Sequence, residues 1–150
     1  MRVLVQRVEE ARVLVAGEVV GTCESGLLLL VGLGAGDGLS EVDWMARKVA
    51  GLRIFSDSDG QMNRSILDTD GDILAVSQFT LYGDCRKGRR PSFVEALKPD
   101  EAEPLFESFI DRLRAEGVSR VEMGKFGAEM QVHLINDGPV TLWIEREASA

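Results

Sequence analysis

Short apolar runs, rather than long helical stripes, dominate the chain. Val3-Leu4-Val5 opens a strand, and Val13-Leu14-Val15 and Val19-Val20 flank Ala16-Gly17-Glu18 as the arms of a hairpin. Leu27 through Val31 is uninterrupted and apolar, which predicts a strand buried on both faces. Ser40 reads as an N-cap with Asp43 three residues on, and Val42, Met45, Val49 and Leu52 follow at helical spacing. Arg53-Ile54-Phe55 returns to strand before a polar loop from Ser56 to Gly60. Ile73 to Val76 is another apolar strand, running into Ser77-Gln78-Phe79-Thr80-Leu81. A second helix is predicted from Asp100, with Ala102, Leu105, Phe106, Phe109, Ile110 and Leu113 on one face. Pro104 falls near its first turn, and Gly117 is its natural stop. Strands are then expected over Val118 to Met123, Met130 to Ile135 and Val140 to Ile144, the last two joined by a turn at Asn136-Asp137-Gly138-Pro139.

This amounts to about seven strands and two main helices that do not alternate regularly, so the expected fold is α+β. Residues 1–150 make a single domain with a largely antiparallel or mixed, barrel-like sheet. No repeat or Pro/Gly/Ser-rich linker divides the chain. The N-terminus reads as free of a signal peptide, and the apolar stretch from Gly26 to Gly34 is far too short to span a bilayer. Cys23 and Cys85 form neither a CxxC nor a zinc-like spacing, which favours a reducing, cytoplasmic setting.

A formal charge of −8 argues against broad, nonspecific binding to nucleic acid. Arg86-Lys87-Gly88-Arg89-Arg90 runs the other way, with four cations in five residues. It reads either as a solvated loop or as a local phosphate anchor able to hold one end of an RNA.

Several chemistries are ruled down. Gly32-Leu33-Gly34-Ala35-Gly36 follows a buried strand, but the third glycine of a dinucleotide fingerprint would fall on Asp37. Asp68, Asp70 and Asp72 open like a calcium loop, yet the glycine is misplaced and Phe79 stands where the bidentate Glu belongs; these residues and Asp57-Ser58-Asp59-Gly60 read as turns. His133, the one histidine, lies between Val132 and Leu134 in an alternating strand and reads as a sheet residue. No metal or cofactor is expected. An enzyme built from this chain must use positioning, backbone donors or a reactive group of its substrate.

Two segments remain. Ser77-Gln78-Phe79-Thr80 ends a buried strand, where side chains and free N–H groups are handed to a pocket and amides can form an oxyanion hole. Gly138-Pro139 is stiff, nearly devoid of side chain, and short of a backbone donor. Together with Gln6-Arg7-Val8, Leu52 to Asp57, Met62-Asn63, Gly88 to Phe93 and Phe126 to Val132, these segments make the chain resemble a D-aminoacyl-tRNA deacylase over nearly its whole length.

The resemblance implies a homodimeric, cofactor-free enzyme. It hydrolyses the ester between a D-amino acid and the 3′-terminal adenosine of tRNA. It implies that Gly138-Pro139 is cis and reaches into the partner subunit's pocket to reject L-amino acids, with Arg7 fixing its orientation. Achiral glycine passes, so glycyl-tRNA is an expected substrate. Ser77, Gln78, Phe79 and Thr80 are the implied catalytic segment, with Thr80 placing water or hydrogen bonding. Met130 and Phe79 line the pocket, while Arg86, Lys87, Arg89 and Arg90 hold acceptor-stem phosphate. Two alternatives stand beside this reading: a non-catalytic module for the tRNA 3′ end, and a serine or threonine hydrolase pairing Ser77, Thr80 or Ser92 with His133.

Overall fold

A computed structural model describes residues 1–148. Strands β1 (Arg2–Val15), β2 (Glu18–Cys23) and β3 (Gly26–Gly32) come first, followed by helix α1 (Leu39–Gly51). A small hairpin of β4 (Phe55–Ser56) and β5 (Met62–Arg64) precedes the short helix α2 (Ile66–Thr69). Then come β6 (Asp72–Ser77), a 3-10 turn at Phe79–Tyr82, α3 (Pro99–Ala115), β7 (Val121–Met123) and β8 (Gln131–Glu145). The expected α+β class holds. The main sheet is mixed, with order β2-β1-β3-β6-β7 and β8 on the free edge of β1.

β1 organises this sheet. Its first half pairs with β3, its second half with β2, and β8 pairs with both halves from the other side. Side chains alternate across a strand, so a register shift changes which face is buried. Val3 and Val5 sit in the core beneath the helices, whereas Val8, Ala11 and Val13 sit in a second core. The change of face coincides with irregularities at Gln6/Val8 and Val8/Glu10, which bend β1 and roll the sheet toward a barrel. β3 and β6 lie between the two cores: Leu27, Leu29, Ile73 and Ala75 face one, while Leu28, Leu74 and Val76 face the other. This fulfils the expectation that Leu27 to Val31 is a strand buried on both faces, and β6 shares that placement.

β3, β6 and β7 are parallel, and parallel neighbours need crossover connections. α1 lies in the first crossover and α3 forms the second. Val42, Met45 and Val49 of α1 are buried, as are Ala102, Phe106, Phe109, Ile110 and Leu113 of α3, matching the periodicity read from sequence. Asp43 and Arg112 tie the two helices at 2.9 Å. Gly117, at φ +111°, ends α3 as expected.

Three expectations are corrected. The N-cap of α1 is Gly38 rather than Ser40, because Glu41 Oε2 accepts the Gly38 N–H at 2.9 Å and stabilises the earlier start. Asp68 and Asp70 belong to the ends of α2, where Asp68 accepts the Ser65 N–H and Asp70 is the left-handed C-cap. Most important, Asn136 to Pro139 is not a hairpin tip. Gln131–Glu145 is one continuous strand whose two halves pair with the same partner.

Candidate active site

The parallel strands β3 and β6 end side by side, with Val31 opposite Ser77. The ladder's next bond runs from the Gln78 N–H to the Val31 carbonyl at 2.7 Å, and the chain then tightens into the 3-10 turn. Leu81 N donates to Gln78 O at 3.2 Å and Gly83 N to Thr80 O at 2.9 Å. The Phe79 and Thr80 amides open the turn, where such a helix supplies no acceptor of its own. The Gln78 carboxamide Nε2 donates to Thr80 Oγ1, so the hydroxyl is oriented by its neighbour.

The glycines that resembled a dinucleotide loop explain how this turn is held. A Cβ on Gly34 would sit 2.5 Å from Tyr82 ring carbons, and one on Gly32 would press on Leu81 and Tyr82. Without those atoms the turn packs directly on β3. Arg2 secures its far end, donating from Nη1 to Leu81 O at 2.9 Å and stacking 4.3 Å from the Tyr82 ring centre. Burial, reinforced by Asp37, pushes the Tyr82 phenol above its ordinary range.

A cavity of about 650 Å³ opens at this strand end. Ser77, Gln78 and Phe79 form one wall, Met130 and Val132 another, and Lys98 to Phe106 at the start of α3 a third. Phe79 is exposed and meets Phe93 edge-to-face at 5.1 Å between centroids. Among the described residues that line the cavity, Lys98 is the one ionisable side chain. The wall is otherwise apolar or neutral, suited to a nucleoside or an ester rather than to a free ion. Thr80 stands just outside the lining, exposed on the turn.

The α3 wall was not foreseen. Ala35 N donates to Glu95 O at 2.8 Å and Leu97 N to Leu33 O at 2.9 Å, so the chain before α3 is laid along the end of β3. Ala96, Leu97 and Lys98 carry no periodicity that would have revealed this.

Gly138-Pro139 lies elsewhere in the same chain. Gln6 pairs with Thr141 and Val8 with Asn136, so β8 carries extra residues that leave the ladder as an excursion. The peptide bond between Gly138 and Pro139 is cis, both residues are exposed, and neither lines the cavity. Gly138 has φ +121°, and a Cβ there would lie 2.9 Å from Val140 Cγ2 and 3.0 Å from Arg7 Nη2. Arg7 braces the excursion from β1: Nη1 donates to Ile54 O at 2.6 Å, while Nε lies 3.2 Å from Asp137 Oδ2. That last contact is an ion pair without hydrogen-bond alignment, since Nε is buried and lacks a partner of proper geometry. The structure therefore brings together Ser77, Gln78, Phe79, Thr80 and Met130. It groups Arg7 with Gly138 and Pro139 as a second assembly.

The basic segment is a loop closed by mutual backbone bonds between Asp84 and Ser92 at 2.8 and 2.9 Å. Arg86 is engaged by Asp84 through two bonds of 2.9 and 2.8 Å, which hold the Asp84 carboxyl down at about 2. Lys87, Arg89 and Arg90 are exposed. His133 pairs across strands with Arg12 and faces outward, as a sheet residue would. Among the described residues, no helix is long and apolar enough to cross a membrane.

Comparison with known proteins agrees with this geometry. The family model described as D-Tyr-tRNA(Tyr) deacylase matches residues 4–145. A D-aminoacyl-tRNA deacylase of a Geobacillus species is 58% identical over 150 residues, spanning 100% of this chain and 98% of the relative. One from Brevibacillus brevis is 60% identical over 145 residues, spanning 97% and 99%. The solved structure of a c-Myc DNA Unwinding Element Binding Protein superposes with a TM-score of 0.93 at 41% identity, covering 99% of this chain and 100% of that one. A neutral cavity at a strand end, walled by the SQFT segment of a chain that these relatives match from end to end, places the protein in the D-aminoacyl-tRNA deacylase family of hydrolases.

Proposed function

We propose that two copies of this chain form a homodimer in which Gly138-Pro139 of each copy stands over the other's cavity and excludes L-aminoacyl esters. The observation that carries this reading is the separation just described. The dipeptide is braced and exposed, yet lies off its own cavity, while that cavity stands open. β8, whose outer edge is unpaired, also exposes the apolar side chains of Ile135, Leu142 and Trp143 at 48%, 37% and 49%. Such edges are normally covered, and a second copy would cover this one.

Within the cavity, the terminal adenosine and the aminoacyl group pack against Phe79 and Met130. Water adds to the ester carbonyl carbon, and the Phe79 and Thr80 amides stabilise the oxyanion as it forms. The bond to the ribose 3′-oxygen then breaks, and that oxygen takes up a proton. The neighbouring ribose 2′-hydroxyl assists the water, which suits a wall with no carboxylate or imidazole. Thr80, held by Gln78, places the water. Thr80 is not the nucleophile, because no adjacent base activates it. Glycine lacks the side chain that the dipeptide opposes, so glycyl-tRNA is also hydrolysed. Lys87, Arg89 and Arg90, with Arg86, hold acceptor-stem phosphates, and the enzyme works in the cytoplasm on charged tRNA.

The test is release of amino acid from D-tyrosyl-, L-tyrosyl- and glycyl-tRNA by the purified protein. Release from the D and glycyl substrates with retention of the L-ester is expected. Equal turnover of the L-ester would overturn the selective reading.

A further inference from the structure

We propose that Asn136 is a positioning residue for chiral selection: its carboxamide clamps both ends of the excursion that carries Gly138-Pro139. This rests on the reading of that dipeptide as the filter. An excursion from a strand leaves backbone groups without ladder partners, and those groups must be satisfied some other way. Arg7 is where β1 has no partner on β8, because pairing skips from Gln6 to Val8. Asn136 Nδ2 donates to the carbonyl of Arg7 at 2.9 Å. The same nitrogen donates to the carbonyl of Val140 at 3.1 Å, where the excursion rejoins the strand. Asn136 Oδ1 accepts from Thr141 Oγ1 at 3.2 Å, and Gln6 Nε2 reaches that hydroxyl at 3.4 Å.

The residue type follows from this geometry. Both hydrogens of one nitrogen are committed, one to each side of the gap. A carboxamide provides two N–H bonds on a single atom, whereas a hydroxyl provides one and a carboxylate none. The reversed amide orientation would aim an oxygen at two carbonyls, so the hydrogen bonds themselves fix the assignment. Arg7 braces the dipeptide from one flank, while Asn136 sets the span between its two ends. A change in that span moves Gly138-Pro139 relative to whatever it opposes.

The experiment compares wild type, Asn136→Asp, Asn136→Ser and Pro139→Ala by kcat/KM on D-tyrosyl-, L-tyrosyl- and glycyl-tRNA, with thermal unfolding as the check on folding. Asp is nearly isosteric but loses both donors; Ser keeps one. The ratio of D to L turnover is expected to fall about tenfold or more in Asn136→Asp, and less in Asn136→Ser, with glycyl-tRNA turnover within about threefold of wild type. If Asn136→Asp fails to fold, Asn136→Ser carries the test. An unchanged D-to-L ratio in a folded Asn136 variant, with a relaxed one in Pro139→Ala, overturns the clamp and leaves the filter standing. A loss shared equally by all three substrates marks Asn136 as merely structural and also overturns it. An unchanged ratio in Pro139→Ala points instead to failure of the filter reading.

Discussion

The end of β6 and the excursion in β8 both interrupt a β-ladder, and they do so by opposite means. At Ser77–Thr80 the chain leaves the sheet by tightening into a 3-10 turn, which frees backbone donors beside a cavity. At Asn136–Thr141 the strand continues, and the surplus residues are thrown outward and held by side chains from β1 and β8. The first region offers N–H groups suited to a developing negative charge. The second offers a dipeptide in which proline contributes no donor. In the proposed function, stabilisation and refusal fall to different backbone chemistries at different places, and neither would depend on an ionised side chain at the reacting carbon.

Removing the refusing element should give the largest change. Pro139→Ala is expected to raise hydrolysis of L-tyrosyl-tRNA by up to about a thousandfold, equivalent to roughly 4 kcal/mol of lost discrimination. D-tyrosyl-tRNA turnover should change little; a fall in D turnover with L still refused would contradict the assignment. The complementary break is Gly34→Ala, whose Cβ would force the Tyr82 ring away from its 2.5 Å approach and displace the 3-10 turn. It should lower kcat on D and glycyl substrates together by about a hundredfold and destabilise the fold by about 1–3 kcal/mol, without admitting the L-ester. Single-turnover rates and thermal unfolding check both parts.

A smaller effect sharpens where the RNA lies. Replacing Lys87, Arg89 and Arg90 by Ala should raise KM several-fold at moderate salt and flatten its logarithmic salt dependence by about 2–3 units, with the D-to-L ratio intact. The smallest is His133→Ala, which should leave kcat/KM within about twofold. A large loss there would revive a hydrolase built on that imidazole.

The two regions also differ in how far they could be read from the sequence. The cavity's principal wall was legible, because an apolar strand that stops at Ser-Gln-Phe-Thr is a local pattern. The two main helices were legible too, since Phe106, Phe109, Ile110 and Leu113 keep their period and fall in the core. The α3 wall was not, because Ala96 to Lys98 are placed by bonds to Leu33 and Ala35 that no local pattern encodes. Asp137-Gly138 carries a strong hairpin signal, yet no hairpin forms. β1 is fourteen residues long and offers ladder partners to both halves of β8, so long-range pairing outweighs local turn preference. Asn136 was visible as a residue but not as a clamp, because its partners Arg7 and Val140 meet only once that pairing exists.

The central claim is that the dipeptide of one subunit guards the cavity of the other, and a mixed dimer tests it most directly. One chain would carry Ala128→Trp, which fills its own cavity but keeps its dipeptide; the other would carry Pro139→Ala with an open cavity. In the purified heterodimer the open cavity faces the intact dipeptide, so D-tyrosyl-tRNA should be hydrolysed and L-tyrosyl-tRNA refused. Hydrolysis of the L-ester at the rate per open cavity of the Pro139→Ala homodimer would contradict the account.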